Sequence, residues 1–264
     1  MPKLDVDRLE YVILAGWAGI TRVPTVAAYA NYGTAVQDLD QELEAADQRC
    51  RQRGLVDPGD RVNDLVWDLM GVYTAGTIEF DLRFSREKGT ELRACVTQSG
   101  KSATRTVVNG DRIILEKVRP GDAIPALVSL LPEHKPLKMQ PLQVDLVELR
   151  RARAELEKRG ETDENALEQA LRSRGVNVAD YRRATRLLDG TKLGVGEVGV
   201  TVWGPGPSRK EQRGEQTMRI IDLEQGRVAV YNTRGQRIVA GCDMGTFRRI
   251  LGDIATDAQR RVSW

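Results

Sequence analysis

The run Gly194-Val195-Gly196-Glu197-Val198-Gly199 spells GxGxxG, the pattern with which a glycine-rich turn cradles a pyrophosphate. That chemistry needs the glycines between a strand and a helix N-terminus, where free backbone N–H groups and the helix dipole meet the anion. Here the run follows a helical stretch and enters the strand-like Val200-Thr201-Val202-Trp203, so the context is inverted and predicts a turn with a bulge. His134 is the only histidine, and any Ser-His-Asp or Cys-His mechanism must use it. No GxSxG elbow accompanies it, and its neighbours Pro132, Pro136 and Pro141 make it an exposed linker residue. Cys50, Cys95 and Cys242 are odd in number and have no metal-ligand spacing, so they read as reduced thiols. The acid pairs Asp38/Asp40 and Asp163/Glu164 fall on helix surfaces or first turns. The expectation is no catalytic residue, no metal site and no cofactor.

Two basic segments, 149–159 (LRRARAELEKR) and 181–186 (YRRATR), have the charge to contact phosphates. Their arginines alternate with acids or apolar residues, and only 3 Phe, 6 Tyr and 4 Trp are available for stacking. They read as solvated helix faces, or as surfaces for a partner protein, where arginine is enriched. The whole-chain balance of 40 basic against 38 acidic residues, a formal +2, argues against a nucleic-acid or membrane surface. The longest apolar run, 11–20, is too short to span a bilayer. Asp5, Asp7 and Glu10 precede it where a targeting signal carries positive charge, so neither membrane insertion nor export is expected and the location is cytoplasmic.

The elements that must position these residues follow from periodicity. Residues 6–18 are a solid apolar run that fits a helix or a strand. A capping box at Thr34 and Gln37 opens a helix over 34–53, ended by Gly54, and 61–73 is a second helix. The period then becomes two: over 77–85, Ile78, Phe80, Leu82 and Phe84 share one face, and Glu79, Asp81 and Arg83 the other, as in a half-buried strand. Strands at 91–97, 103–108 and 112–118 follow, with Asn109-Gly110 as a hairpin turn, and Asp122 caps a short helix. A Pro-rich linker, 132–141, separates two halves, 1–131 and 142–264. The second half has helices over 144–158, 163–173 (N-cap Thr162) and 178–188, and a strand over 198–203. A mobile polar loop over 204–213 leads to strands at 217–223, 227–232 and 237–240 and a closing helix from 244.

The end of the second half imitates the end of the first. Both run strand, Gly turn (Gly110, Gly226), strand, Asp cap (Asp122, Asp243) and helix. The expected architecture is therefore an α+β fold, a quasi-twofold duplication whose halves share one central antiparallel sheet flanked by helical bundles, both belonging to one integrated domain.

The run Arg53-Gly54-Leu55-Val56-Asp57, the helix after it and the strand over 77–83 resemble those of the EspG-type chaperones of actinobacterial type VII (ESX) secretion. Gly226-Arg227-Val228-Ala229-Val230, Ile238-Val239-Ala240 and the closing helix extend the resemblance over almost the whole chain. It implies a non-enzymatic cytosolic chaperone that binds the helical tip of the PPE protein in a PE-PPE heterodimer, keeps it soluble and directs it to export. The regions implied to touch that partner are Ser85, Arg86, Glu87 and Lys88 in one hairpin, and Arg183, Arg186, Asp189, Lys192, Val200, Val202 and Trp203 further on. Trp17-Ala18-Gly19 spells the WxG of small type VII cargo, but no tyrosine is followed four residues later by an acid, so the chain does not read as cargo. A small-ligand-binding or hydrolytic α/β domain stays open as the alternative, and so does a homodimer.

Overall fold

The computed structural model describes residues 2–28, 38–86, 89, 91–205 and 210–262. The chain divides into two compact units: Met1–Pro132 with Val198–Gly214 and Ala255–Trp264, and Glu133–Glu197 with Glu215–Ile254.

The first unit opens with β1 (Lys3–Asp7) and α1 (Arg8–Trp17), so the ambiguous apolar run is both strand and helix. Asp7 makes the change, because its side chain accepts the Glu10 N–H while Glu10 reaches back to the Asp7 N–H. Helix α2 is Leu39–Gln52; the predicted capping box at Thr34 and Gln37 lies outside the described residues. The predicted helix over 61–73 is shorter and broken: α3 (Asp64–Met70) starts after the Asn63 cap, and α4 (Val72–Ala75) resumes beyond Gly71. Residues 61–63 are held otherwise, with Val62 bridged to Val56.

Strands β2 (Ile78–Arg86), β3 (Leu92–Ser99), β4 (Ser102–Asn109) and β5 (Arg112–Val118) form an antiparallel meander, and β1 pairs with β5. Helix α5 (Ala123–Val128) follows. Asp122 holds its N-cap position, as expected, but ends the 3-10 turn Pro120–Asp122 and makes no side-chain capping hydrogen bond. Tyr11, Leu14, Leu69, Met70, Ile113 and Leu115 lie in this unit's core. Contrary to the half-buried pattern expected of β2, Glu79 and Asp81 are buried as well. Both faces of the strand are covered, and each acid has a dedicated partner on its covered side.

In the second unit the first residues of the predicted 144–158 helix belong to β6 (Leu142–Asp145). Asp145 then caps α6 (Leu146–Lys158) by accepting the Val147 and Glu148 N–H groups. Helix α7 (Glu164–Ser173) is capped by Asp163, one residue later than the predicted Thr162, and α8 (Val178–Asp189) by Asn177. The GxGxxG run contains no turn. It lies wholly inside β7 (Lys192–Trp203), and none of its glycines has positive φ. The segment predicted as a mobile loop contains β8 (Glu211–Arg213), paired with β7; residues 206–209 lie outside the described residues.

Strands β9 (Met218–Leu223), β10 (Gly226–Thr233) and β11 (Gln236–Gly241) precede α9 (Met244–Val262). Gly226 is not a turn residue; it opens β10 opposite Leu223. Asp243 does act as a cap, accepting the Thr246 N–H at 2.7 Å. Nor is 132–141 a free linker. Lys135 O accepts the Arg227 N–H, Leu137 N–H donates to Arg227 O, and His134 is half-buried with Nε2 2.8 Å from Leu223 O. The segment supplies backbone groups to β10, which is why its prolines do not loosen it.

In the first unit the hydrogen-bonded strand order is β1-β5-β4-β3-β2-β7, with β8 on β7, and in the second it is β9-β10-β11-β6. This is the expected α+β fold with a large antiparallel sheet. Leu149, Leu156, Leu171, Tyr181, Ile221, Val228 and Val239 lie in the core of the second unit. Among the described residues no helix is long and apolar enough to cross a membrane.

Candidate partner-binding surface

Helix α8 is fixed from one side and open on the other. Asn177 Oδ1 accepts the Ala179 and Asp180 N–H groups, and Tyr181 is buried with its hydroxyl donating to Glu164 at 2.9 Å. Arg182 grips both carboxylate oxygens of Glu168 on α7 and holds that carboxyl below the usual glutamate range. Arg174 binds Glu155 and lies 3.6 Å from Glu148, both on α6, so α6 and the end of α7 are tied in the same way. Glu168 is buried and the other members of these pairs are half-buried to exposed, so the pairs act chiefly to tie neighbouring helices together.

The exposed side of α8 then carries Arg183, Arg186 and Asp189. Among the described residues neither Arg183 nor Arg186 forms a salt bridge, and both side chains are exposed, with the Arg186 charge near enough to help hold the Glu168 carboxyl down. Lys192, half-buried, begins β7 just beyond, and Leu193 beside it is 39% exposed. Basic groups, one acid and an exposed leucine on a braced helix and the strand after it have the composition of an interface rim.

The other predicted contact residues lie elsewhere. Ser85 and Arg86 are exposed at the end of β2; Glu87 and Lys88 lie outside the described residues. Val200, Val202 and Trp203 are in the interior of the first unit, and Trp203 is 8% exposed. Its backbone N–H donates to Thr77 O at 3.0 Å, and its indole N–H to Glu211 at 3.0 Å. The Arg22 guanidinium lies 3.7 Å from its ring centroid, in cation–π range. Arg183, Arg186 and Asp189 are thus brought together on α8, while Val200, Val202 and Trp203 serve as core.

Sequence reasoning passed over the polar centres of the sheet. Asp81 is bound by Arg213, whose Nη2 is 2.9 Å from Oδ1 and whose Nη1 also reaches Thr201 Oγ1 at 3.1 Å. Asp222 is bound by Arg227 at 2.6 and 2.9 Å, both side chains buried. The second pair had a readable signal, an acid and an arginine placed symmetrically about the turn between β9 and β10 and directly opposite in register. The first had none, because its partners are remote in the chain.

A sequence model of the EspG family matches residues 7–252. The chain belongs to the EspG family. Its fold is shared with a solved structure described as the Mycobacterium tuberculosis type VII secretion system chaperone EspG5 in complex with PE25-PPE41 dimer. The TM-score is 0.66 over 97% of this chain and 96% of that one, at 15% identity, where likeness speaks for fold. No curated protein matches the sequence. Within the EspG family fold, this chain's GxGxxG glycines are strand residues, and Gly199 marks the place where the Arg213 side chain crosses β7.

Proposed function

We propose that this chain is a cytoplasmic, non-enzymatic chaperone of type VII secretion that binds a PE-PPE heterodimer, chiefly through the PPE subunit, and keeps its apolar tip soluble until export. The observation that carries the reading is near-complete coverage of the fold of EspG5, which was solved with a PE25-PPE41 dimer, together with the family match. The exposed face of α8 with Arg183, Arg186 and Asp189 supplies charges that set specificity at the rim of an interface whose affinity comes from apolar burial. Ser85 and Arg86 add a second polar contact from the end of β2.

The test is coexpression with each PE-PPE pair encoded in the same genome, followed by size-exclusion chromatography with mass determination. A single peak holding all three chains in equal amounts is the expected result for the cognate pair. Failure of every pair to co-elute would overturn the reading. With the cognate pair, Arg183→Glu combined with Arg186→Glu should weaken binding on the order of tenfold to a hundredfold and leave the melting temperature unchanged, since charge reversal at a rim acts on association.

A further inference from the structure

The segment Val198–Trp203 (VGVTVW) carries no charge and no proline and is rich in β-branched residues, the composition of a strand that pairs with copies of itself. Along Thr201, Val202 and Trp203 one neighbour is β8, three residues long, in the register Thr201↔Arg213, Val202↔Gln212 and Trp203↔Glu211. So short a strand holds little by its ladder alone. Side chains secure it: Arg213 reaches over β7 to both oxygens of Asp81 on β2 and to Thr201, and Glu211 accepts the Trp203 indole N–H.

Gly199 opens the path for Arg213. A Cβ there would stand 1.9 Å from Arg213 Nη2 and 2.5 Å from its Cζ, so any larger residue displaces the guanidinium. Asp81, 4% exposed, needs that cation, because a buried carboxylate without a partner is strongly unfavourable. Glycines bound the strap at both ends and are tied at its base: Gly204 N–H donates to Lys210 O and Gly214 N–H to Val200 O. β8 itself offers Glu211, Gln212 and Arg213, a short, polar strand of the kind that ends a sheet without inviting another chain.

We propose that β8 is an edge guard, bolted by Arg213 to Asp81 through the gap at Gly199, whose task is to keep the Thr201–Val202–Trp203 edge of β7 from pairing with the same edge of a second copy of this chain. The inference concerns self-association and does not rest on the PE-PPE reading.

The test compares wild type, Arg213→Ala, Gly199→Ala and the double variant Asp81→Asn/Arg213→Gln by hydrogen exchange and by light scattering after size exclusion over a range of concentrations. The double variant leaves no buried charge unpaired, so it separates loss of the bolt from loss of the fold. In all three variants the amides of residues 210–214 should exchange about tenfold faster or more while the β3–β4 amides keep their protection. Mass should rise with concentration beyond that of wild type. If the strap opens and mass stays at the wild-type value at every concentration, the guard role is wrong. If the strap keeps its protection in the double variant, or that variant unfolds throughout, the bolt is wrong.

Discussion

Asp222 and Asp81 are both buried on strands, 2% and 4% exposed, and one arginine binds both oxygens of each. Arg227 comes from the position directly across the β9–β10 hairpin, five residues on, whereas Arg213 comes from 132 residues away and passes over a strand. The local pair forms as the hairpin closes, with almost no loop entropy to overcome, and then serves as a fixed hub. Around it the Arg227 backbone binds Lys135, Leu137 and Cys242. The remote pair exists only while β8 lies on β7, and its arginine side chain keeps 40% of its exposure. The same chemistry therefore anchors a core in one place and fastens a three-residue edge strand in the other.

The comparison is broken most forcefully at Arg227. Arg227→Ala strands Asp222 without a cation and should cost about 3–5 kcal/mol, read from the denaturation midpoint at constant slope. Cys242 supplies an independent probe, since burial pushes its thiol up to about 12 and its N–H donates to Arg227 O. Its native-state alkylation should be negligible in wild type and rapid in Arg227→Ala, with Cys95 on β3 still protected. Equal acceleration at both cysteines would show that the hub has no separate identity.

Second in size is Gly241→Ala. The new Cβ would lie 2.1 Å from Leu137 O, a backbone atom that cannot swing aside, so docking of the 135–137 segment should be lost at a cost of about 2–3 kcal/mol. If the 135–137 segment is a passive tether, the variant will unfold within about 0.5 kcal/mol of wild type.

Arg213→Ala should cost less than either, about 1–2 kcal/mol, because its guanidinium is partly solvated already. Here neither thiol should gain reactivity: Cys95 is buried on β3, which keeps its protection, and Cys242 lies in the other unit. A loss as large as that of Arg227→Ala would erase the distinction between anchor and strap.

How far these features were legible in the sequence follows from the same distinction. Helices α6, α7 and α8, the Asn109-Gly110 hairpin and the β9–β11 meander were readable because caps, turns and alternation act within a few residues. Asp7 and Asp145, where a strand passes directly into a helix with no loop, hid β1 and β6: an apolar run shared by two elements shows neither period. The GxGxxG run misled because a glycine kept for a turn and one kept for a crossing side chain look alike until Arg213 is placed. For the candidate surface, α8 was legible through its polar face. Val200, Val202 and Trp203 form an apolar stretch that reads equally as contact or as core, and Arg22, Glu211 and Thr77, which bury Trp203, are remote or unremarkable in the sequence.

Glu79 gives the comparison its third point and the smallest effect. It is buried two residues before Asp81 on the same strand face, but its hydrogen bonds come from neutral donors, the Thr97 hydroxyl at 2.8 Å and the Thr25 N–H at 3.2 Å. Burial raises its carboxyl above the usual 4.5, the two hydrogen bonds oppose the shift, and the nearby Asp81 adds to it. Because the folded chain holds this proton more tightly than the unfolded one, Glu79 favours folding most below pH 4.5. That contribution is lost as pH rises through the raised folded value, the reverse of a carboxylate paired with arginine. Glu79→Gln keeps an acceptor for Thr25 and removes the titration, so it should be more stable than wild type at about pH 7 and lose that advantage toward about pH 4. Melting temperatures of both proteins across that range decide it. A difference that does not change with pH would mean that Glu79 keeps its charge without a cation, and that burial alone does not make arginine necessary at Asp81.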